Sequence, residues 1–220
     1  MKLFFGAGYT HPITLCTDVR DNLPLDRKYH YRDGRSMAEA AKCWCAANGS
    51  LPDSISKAVG SNELTTAHFE YPTRVWGGGV SMTDIMAFVP DGIVAVEAKV
   101  DEPFDELVSS WIFKEEHKNS ESPPHRTAVV ERYANALRLN SAQLFDIRYQ
   151  LLQRTLAAAL TARENSVPKA WMIVQSFSPA GAPIKSQNRE DFDRFVELVG
   201  SAPTIEDVQV RLAWVSNAFS

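Results

Sequence analysis

Long apolar runs are missing from this chain of 220 residues. None approaches the roughly 18–20 residues that a membrane-crossing helix needs. The N-terminus, Met1-Lys2-Leu3-Phe4-Phe5-Gly6, offers one basic residue and an apolar triplet before His11 and Pro12 intervene. A secretory core needs about 7–15 apolar residues. Spanning and secreted classes are therefore set aside, and the expected location is cytoplasmic. Cysteine is scarce as well. Three thiols cannot build a disulfide framework, and Cys43 and Cys45 stand at a C-x-C spacing unlike a zinc knuckle or a C-x-x-C redox pair. Unpaired thiols in a reducing compartment fit better. A surplus of positive charge is absent, since the net charge is −4. That rules out a polybasic architectural binder, but not a local basic groove on an acidic body. The five histidines are scattered without zinc spacing, and there is no P-loop, no G-x-S-x-G elbow, no dinucleotide fingerprint and no internal repeat.

What is present suits one sizeable core. Hydrophobic residues make up 45% of the chain, enough for a single domain over residues 1–220 with an irregular segment over residues 1–35. Within that segment, Arg27–Arg35 is the most basic stretch; its arginines could grip phosphates, or it could be an ordinary exposed loop. Ser36 reads as a helix N-cap with Glu39 completing a capping box, and the helix should stop at Asn48-Gly49. A shorter helix near Pro52–Val59 follows. His68–Trp76, Met82–Val89 and Ile93–Val100 read as strands, the last two joined by the turn Pro90-Asp91-Gly92. Gly77-Gly78-Gly79 between the first two could admit a close phosphate backbone, but reads more simply as an ordinary loop. Asp101 can cap a helix from Pro103, and Lys118–His125 is a polar loop. Helical patterns cover Ala128–Leu139, Ser141–Arg163 and Asp191–Val199, with strands at Ala170–Phe177 and Val208–Val215. The order α-β-β-β-α-α-β-α-β describes an α/β (α+β) domain, a mixed sheet of about five strands flanked by helices.

Charges interrupt the two central strands. Glu97 and Lys99 break the apolar run Gly92–Val100, two apart and so on one face, roughly 6–7 Å from one another along the strand. Asp84 breaks Met82–Val89 in the same way. A buried unpaired charge costs several kcal/mol, so such groups need partners, a metal or solvent. A solvated strand face is one alternative, but Met86 and Ala95 are apolar where it would be polar; a structural salt bridge is the other. If Pro90-Asp91 is a two-residue loop, Asp84 sits opposite Glu97, and two opposed carboxylates suit Mg²⁺ or Mn²⁺. If Gly92 instead forms a bulge, Glu97 turns to the other face. Both registers remain open at this level.

The pattern Asp84-x12-Glu97-x-Lys99, on consecutive apolar strands after a helix bearing an acid, resembles the core of the PD-(D/E)XK phosphodiesterase superfamily, the restriction-endonuclease-like fold. The strings Val96–Phe104 and Arg148–Thr155 are similar to a bacterial group within it. Thr83 stands where many members have Pro. The resemblance spans roughly residues 36–215 and implies a metal-dependent nuclease, with DNA as the expected partner, no membrane association and room for a homodimer. Asp84, Glu97 and the Ala98 carbonyl would ligate Mg²⁺ (or Mn²⁺), and Lys99 would orient or deprotonate the attacking water. Glu39 matches an additional acid, although its capping role explains it equally; Glu70 is the alternative. Gln150 and Arg154 share a helix face and would contact substrate, unless they are a solvated stripe. The competing function is a non-catalytic module that keeps the nuclease fold to bind nucleic acid or protein.

Overall fold

A computed structural model describes residues 2–26, 28, 31–77, 79–116 and 125–217. Arg27, Tyr29 and His30 of the basic stretch, Gly78 of the glycine triplet and residues 118–124 of the polar loop lie outside the described residues. The described residues form a mixed sheet of seven strands flanked by seven helices. In chain order these are β1 (Leu3–Phe5), α1 (Cys16–Asn22), α2 (Ser36–Ala46), α3 (Asp53–Val59), β2 (Thr66–Arg74), β3 (Val80–Val89) and β4 (Gly92–Lys99). There follow α4 (Val108–Glu116), α5 (His125–Leu137), α6 (Tyr149–Glu164), β5 (Lys169–Ser176), α7 (Pro183–Val199), β6 (Thr204–Ile205) and β7 (Val208–Ser216).

The sheet order is β1-β2-β3-β4-β5-β7-β6. The meander β2-β3-β4 is antiparallel, whereas β1 joins β2, and β5 joins β4 and β7, in parallel. All eight residues of β4 are buried, as expected of a central strand covered on both faces. One apolar layer packs Met86, Ala95, Met172 and Val174 under α5 and α6. The other packs Ile85, Val94, Val96 and Ala98 against Trp44 of α2 and Ile55 of α3.

Four differences from the sequence reading matter. The described part of residues 1–35 is largely irregular but not an appendage: β1 extends the sheet, α1 follows, and Leu3, Ile13, Val19 and Leu23 are buried. A three-residue strand and a helix with one buried residue give almost no periodic signal, and β1 with the two-residue β6 accounts for the two strands beyond the expected five. The helix expected at Pro103 begins at Val108. Residues 101–107 form an irregular strap instead, held by Asn188 of α7, which accepts the Phe104 N–H at 3.3 Å and donates to the Glu102 carbonyl at 3.0 Å. The helix expected from Ser141 is broken: Asn140 caps a single 3₁₀ turn (Ser141–Leu144). Residues 145–148 then pair with the strap, Val108 donating to the Ile147 carbonyl at 2.9 Å and Tyr149 to that of Glu106 at 3.0 Å. That break places Gln150 in the first turn of α6. Finally, Ser36 is the first helical residue of α2 rather than its cap, and the Glu39 carboxylate accepts the Gly34 N–H at 2.9 Å.

Candidate active site

The register of the β3–β4 hairpin decides what meets at the sheet's centre. Val89 pairs with Gly92, and the ladder runs on to Ile85 opposite Val96. Pro90-Asp91 is thus a two-residue loop, and none of residues 90–92 has positive φ. One further step of this register sets Asp84 opposite Glu97, and both fall on the α6 face with Met86 and Ala95. The bulged alternative is excluded.

Beyond Ile85–Val96 the two strands part. The Ala98 N–H, which a continued ladder would satisfy from β3 backbone, is accepted at 2.8 Å by Asp84 Oδ2. In an extended strand the N–H and C=O of one residue emerge on the same edge. The Ala98 carbonyl therefore also faces the gap between β3 and β4. On the other side of β3, Phe69 pairs with Ile85 and Tyr71 with Thr83, skipping Glu70. Glu70 has φ +50°, a left-handed conformation that costs a non-glycine residue about 1–3 kcal/mol. Backbone irregularity on both sides of Asp84 thus opens the sheet at this point.

Glu97 is gripped from α6. Arg154 Nε donates to Oε2 at 2.6 Å and Gln150 Nε2 to Oε1 at 2.7 Å, while Lys99 Nζ lies 3.0 Å from Oε1. Lys99 also donates to Gln150 Oε1 at 3.0 Å, and Arg154 to Ser81 Oγ at 2.6 Å. Glu97 and Lys99 are only 2% and 4% exposed. Burial opposes ionisation of Glu97, but the Lys99 and Arg154 charges prevail and hold its carboxyl below the ordinary range. Asp84 has the opposite fate. Burial, then the Glu97 charge, push it well above the ordinary range, outweighing the attraction of Arg154 and Lys99. Two carboxylates on one site titrate apart, as a shared charge requires.

These groups form the floor of a cavity of about 730 Å³. Asp84, Glu97, Ala98, Lys99 and Gln150 line it, together with Glu70 from β2. The strap supplies Glu102 and Asp105; the start of α2 and the loop before it supply Arg32, Arg35 and Ser36. Glu39 does not join this lining. It is 1% exposed and bonds Gly34 and, at 2.9 Å, Lys42. Glu70 is the acid brought to the cavity instead, because α2 packs on the opposite face of the sheet. Arg154 turns inward rather than along the rim. Its role in this geometry is to hold Glu97.

A family model described as "Domain of unknown function (DUF6946)" matches residues 12–218. The chain belongs to this family. Comparison with curated proteins and with solved structures gives no match. In this DUF6946 member, no group of three or more His, Cys, Asp or Glu side chains among the described residues is arranged to hold a metal ion, and no helix there is long and apolar enough to cross a membrane. Sequence reasoning passed over Glu102, Asp105 and Ser81, whose roles depend on the strap and on the inward turn of Arg154. Only the basic stretch ending at Arg35 carried a signal for Arg32 and Arg35.

Proposed function

We propose that this chain is a metal-dependent nuclease related to the PD-(D/E)XK superfamily, hydrolysing phosphodiester bonds in DNA. The observation that carries the reading is the convergence of Asp84, Glu97 and Lys99 on one face, where β3 and β4 part at the floor of an open cavity. Asp84, Glu97 and the Ala98 carbonyl are hard oxygen donors of the kind that Mg²⁺ or Mn²⁺ takes, and the charge crowding at Asp84 suits a cation. Held there, a divalent ion supplies Lewis acidity toward a phosphoryl oxygen and makes water more acidic. Lys99 then orients the attacking water and offsets negative charge developing on the phosphorus oxygens. Gln150, bonded to both Glu97 and Lys99, fixes their spacing, and Arg154 keeps Glu97 ionised. Unpaired thiols support a cytoplasmic setting.

Incubation of the protein with plasmid, linear and single-stranded DNA in Mg²⁺ or Mn²⁺ tests the reading. Cleavage is expected, and Asp84→Asn and Lys99→Ala should each abolish it. Cleavage surviving in both variants would remove the assignment. A second reading has an observation of its own: both Glu97 oxygens are already occupied by Arg154, Gln150 and Lys99, so the site is partly self-neutralised. That suits a binding module on the same fold. Titration calorimetry with Mn²⁺ separates the two, since the binding module predicts no heat at this site.

A further inference from the structure

The cavity has two walls of opposite charge. Glu102 and Asp105 stand on the strap after β4, whereas Arg32 and Arg35 stand on the segment leading into α2. Arg32 is exposed and makes no ion pair or side-chain hydrogen bond among the described residues. Arg35 pairs with Asp101 at 2.8 Å, its side chain 35% exposed against 56% for Asp101. Such an exposed pair contributes little and exchanges partners readily. Leu23 and Met37, buried beneath the same segment, close the cavity behind the arginines.

We infer that Arg32 and Arg35 form the entry subsite for the backbone of a single nucleic-acid strand, and that an intact duplex does not reach the floor. The inference rests on the nuclease reading and narrows its substrate. Glu97 and Lys99, almost wholly enclosed, sit at the bottom of a pocket of about 730 Å³. A duplex presents a convex cylinder, and its phosphates meet such a floor only after the strand leaves the helix. The carboxylates of the strap repel a polyanion, so the strand follows the arginine wall. Two arginines neutralise about two phosphates, far fewer than a duplex-tracking protein uses.

Fluorescence anisotropy without divalent cation tests this, using labelled 12-nucleotide single strands, DNA and RNA, and the corresponding blunt duplex. At least one single strand should bind about tenfold or more tightly than the duplex, with a slope of log affinity against log salt of about −1.4. Arg32→Ala should weaken binding about threefold and Arg32→Glu about tenfold, each lowering the slope by about 0.7. Asp101→Asn, which frees Arg35, should tighten binding about two- to threefold. Equal affinity for duplex and single strands, or affinity indifferent to both Arg32 variants, overturns the inference. Strand binding through Arg32 without cleavage in Mg²⁺ or Mn²⁺ upholds it and overturns the nuclease reading alone. Cleavage that needs Asp84 but ignores Arg32 does the reverse.

Discussion

Asp84 is held where its charge is disfavoured, first by burial and then by the Glu97 carboxylate across the gap. The folded chain therefore holds the Asp84 proton more tightly than the unfolded chain does. Stability linked to this group is full below about pH 4 and is lost as the pH rises through the elevated folded value. Glu97 runs the other way: its contribution is present above the ordinary carboxylate value and fades as the pH falls. At neutral pH the penalty belongs to Asp84. Asp84→Asn keeps an oxygen for the Ala98 N–H while removing the charge, so it should stabilise the fold by about 0.5–2 kcal/mol at pH 7. Urea unfolding followed from about pH 4 upward should show the wild-type loss flattened in the variant. Cleavage should fall by about a hundredfold or more. An Asp84→Asn protein that is both less stable and still active would contradict the charge crowding and the role together. The sequence disclosed Asp84, Glu97 and Lys99 because charges in apolar strands are anomalous on any fold. Arg154 was legible as a candidate for substrate contact or a solvated stripe, but not as the partner of Glu97, because only the acid beneath it turns it inward.

Glycine 92 shows why the hairpin could not be phased from its own residues. Val89-Pro90-Asp91-Gly92 is compatible with a two-residue loop or a bulge, and in a bulge the glycine would serve a left-handed backbone. Its φ is not positive. What requires glycine is the neighbouring strand, since a Cβ there would lie 2.6 Å from the Lys169 carbonyl oxygen and 2.7 Å from the Trp171 ring. The glycine thus answers to β5, which pairs Gly92 with Lys169, and not to the turn. Gly92→Ala should cost about 1–3 kcal/mol through overpacking against backbone that cannot swing aside. It should also reduce cleavage, because β4 carries Glu97 and Lys99. Chemical denaturation together with the nuclease assay checks both, and an unchanged midpoint would deny the close approach. The interrupted helix follows the same logic. Residues 141–148 have helical composition, but Asn140 takes the Gln143 N–H and the strap takes the donors and acceptors of residues 147 and 149. Strand existence and helix type were legible from periodicity; the phase of the hairpin was not, and the position of Gln150 came from distant partners.

Across the whole molecule, one sheet divides two apolar layers, and the candidate site lies where residues of both faces meet the open end of the gap. Carboxylates, Lys99 and Gln150 come from the α6 side, whereas Arg32, Arg35 and Ser36 come from the segment that crosses to α2. That segment is anchored as part of the core. Ile13 and Val19 are 3% and 0% exposed, Ile13 donates its N–H to the Leu3 carbonyl at 2.8 Å, and the Tyr31 hydroxyl donates to the Cys16 carbonyl at 2.7 Å. Short elements with few apolar residues left no sequence trace of this. If residues 2–35 were an appendage, truncating a side chain there would change stability by less than about 0.5 kcal/mol. As part of the second layer, Ile13→Ala should instead cost about 2–5 kcal/mol. Moreover, the loss should appear in one transition, with far-ultraviolet dichroism and tryptophan fluorescence coinciding, because Trp44 and Trp171 report one layer and Trp111 and Trp214 the other. Two separated transitions would mean that the arginine-bearing segment and the carboxylate-bearing strands fold independently. The exposed Arg35–Asp101 pair that links the two walls is too weak to hold them in register by itself, so that result would deny the shared layer.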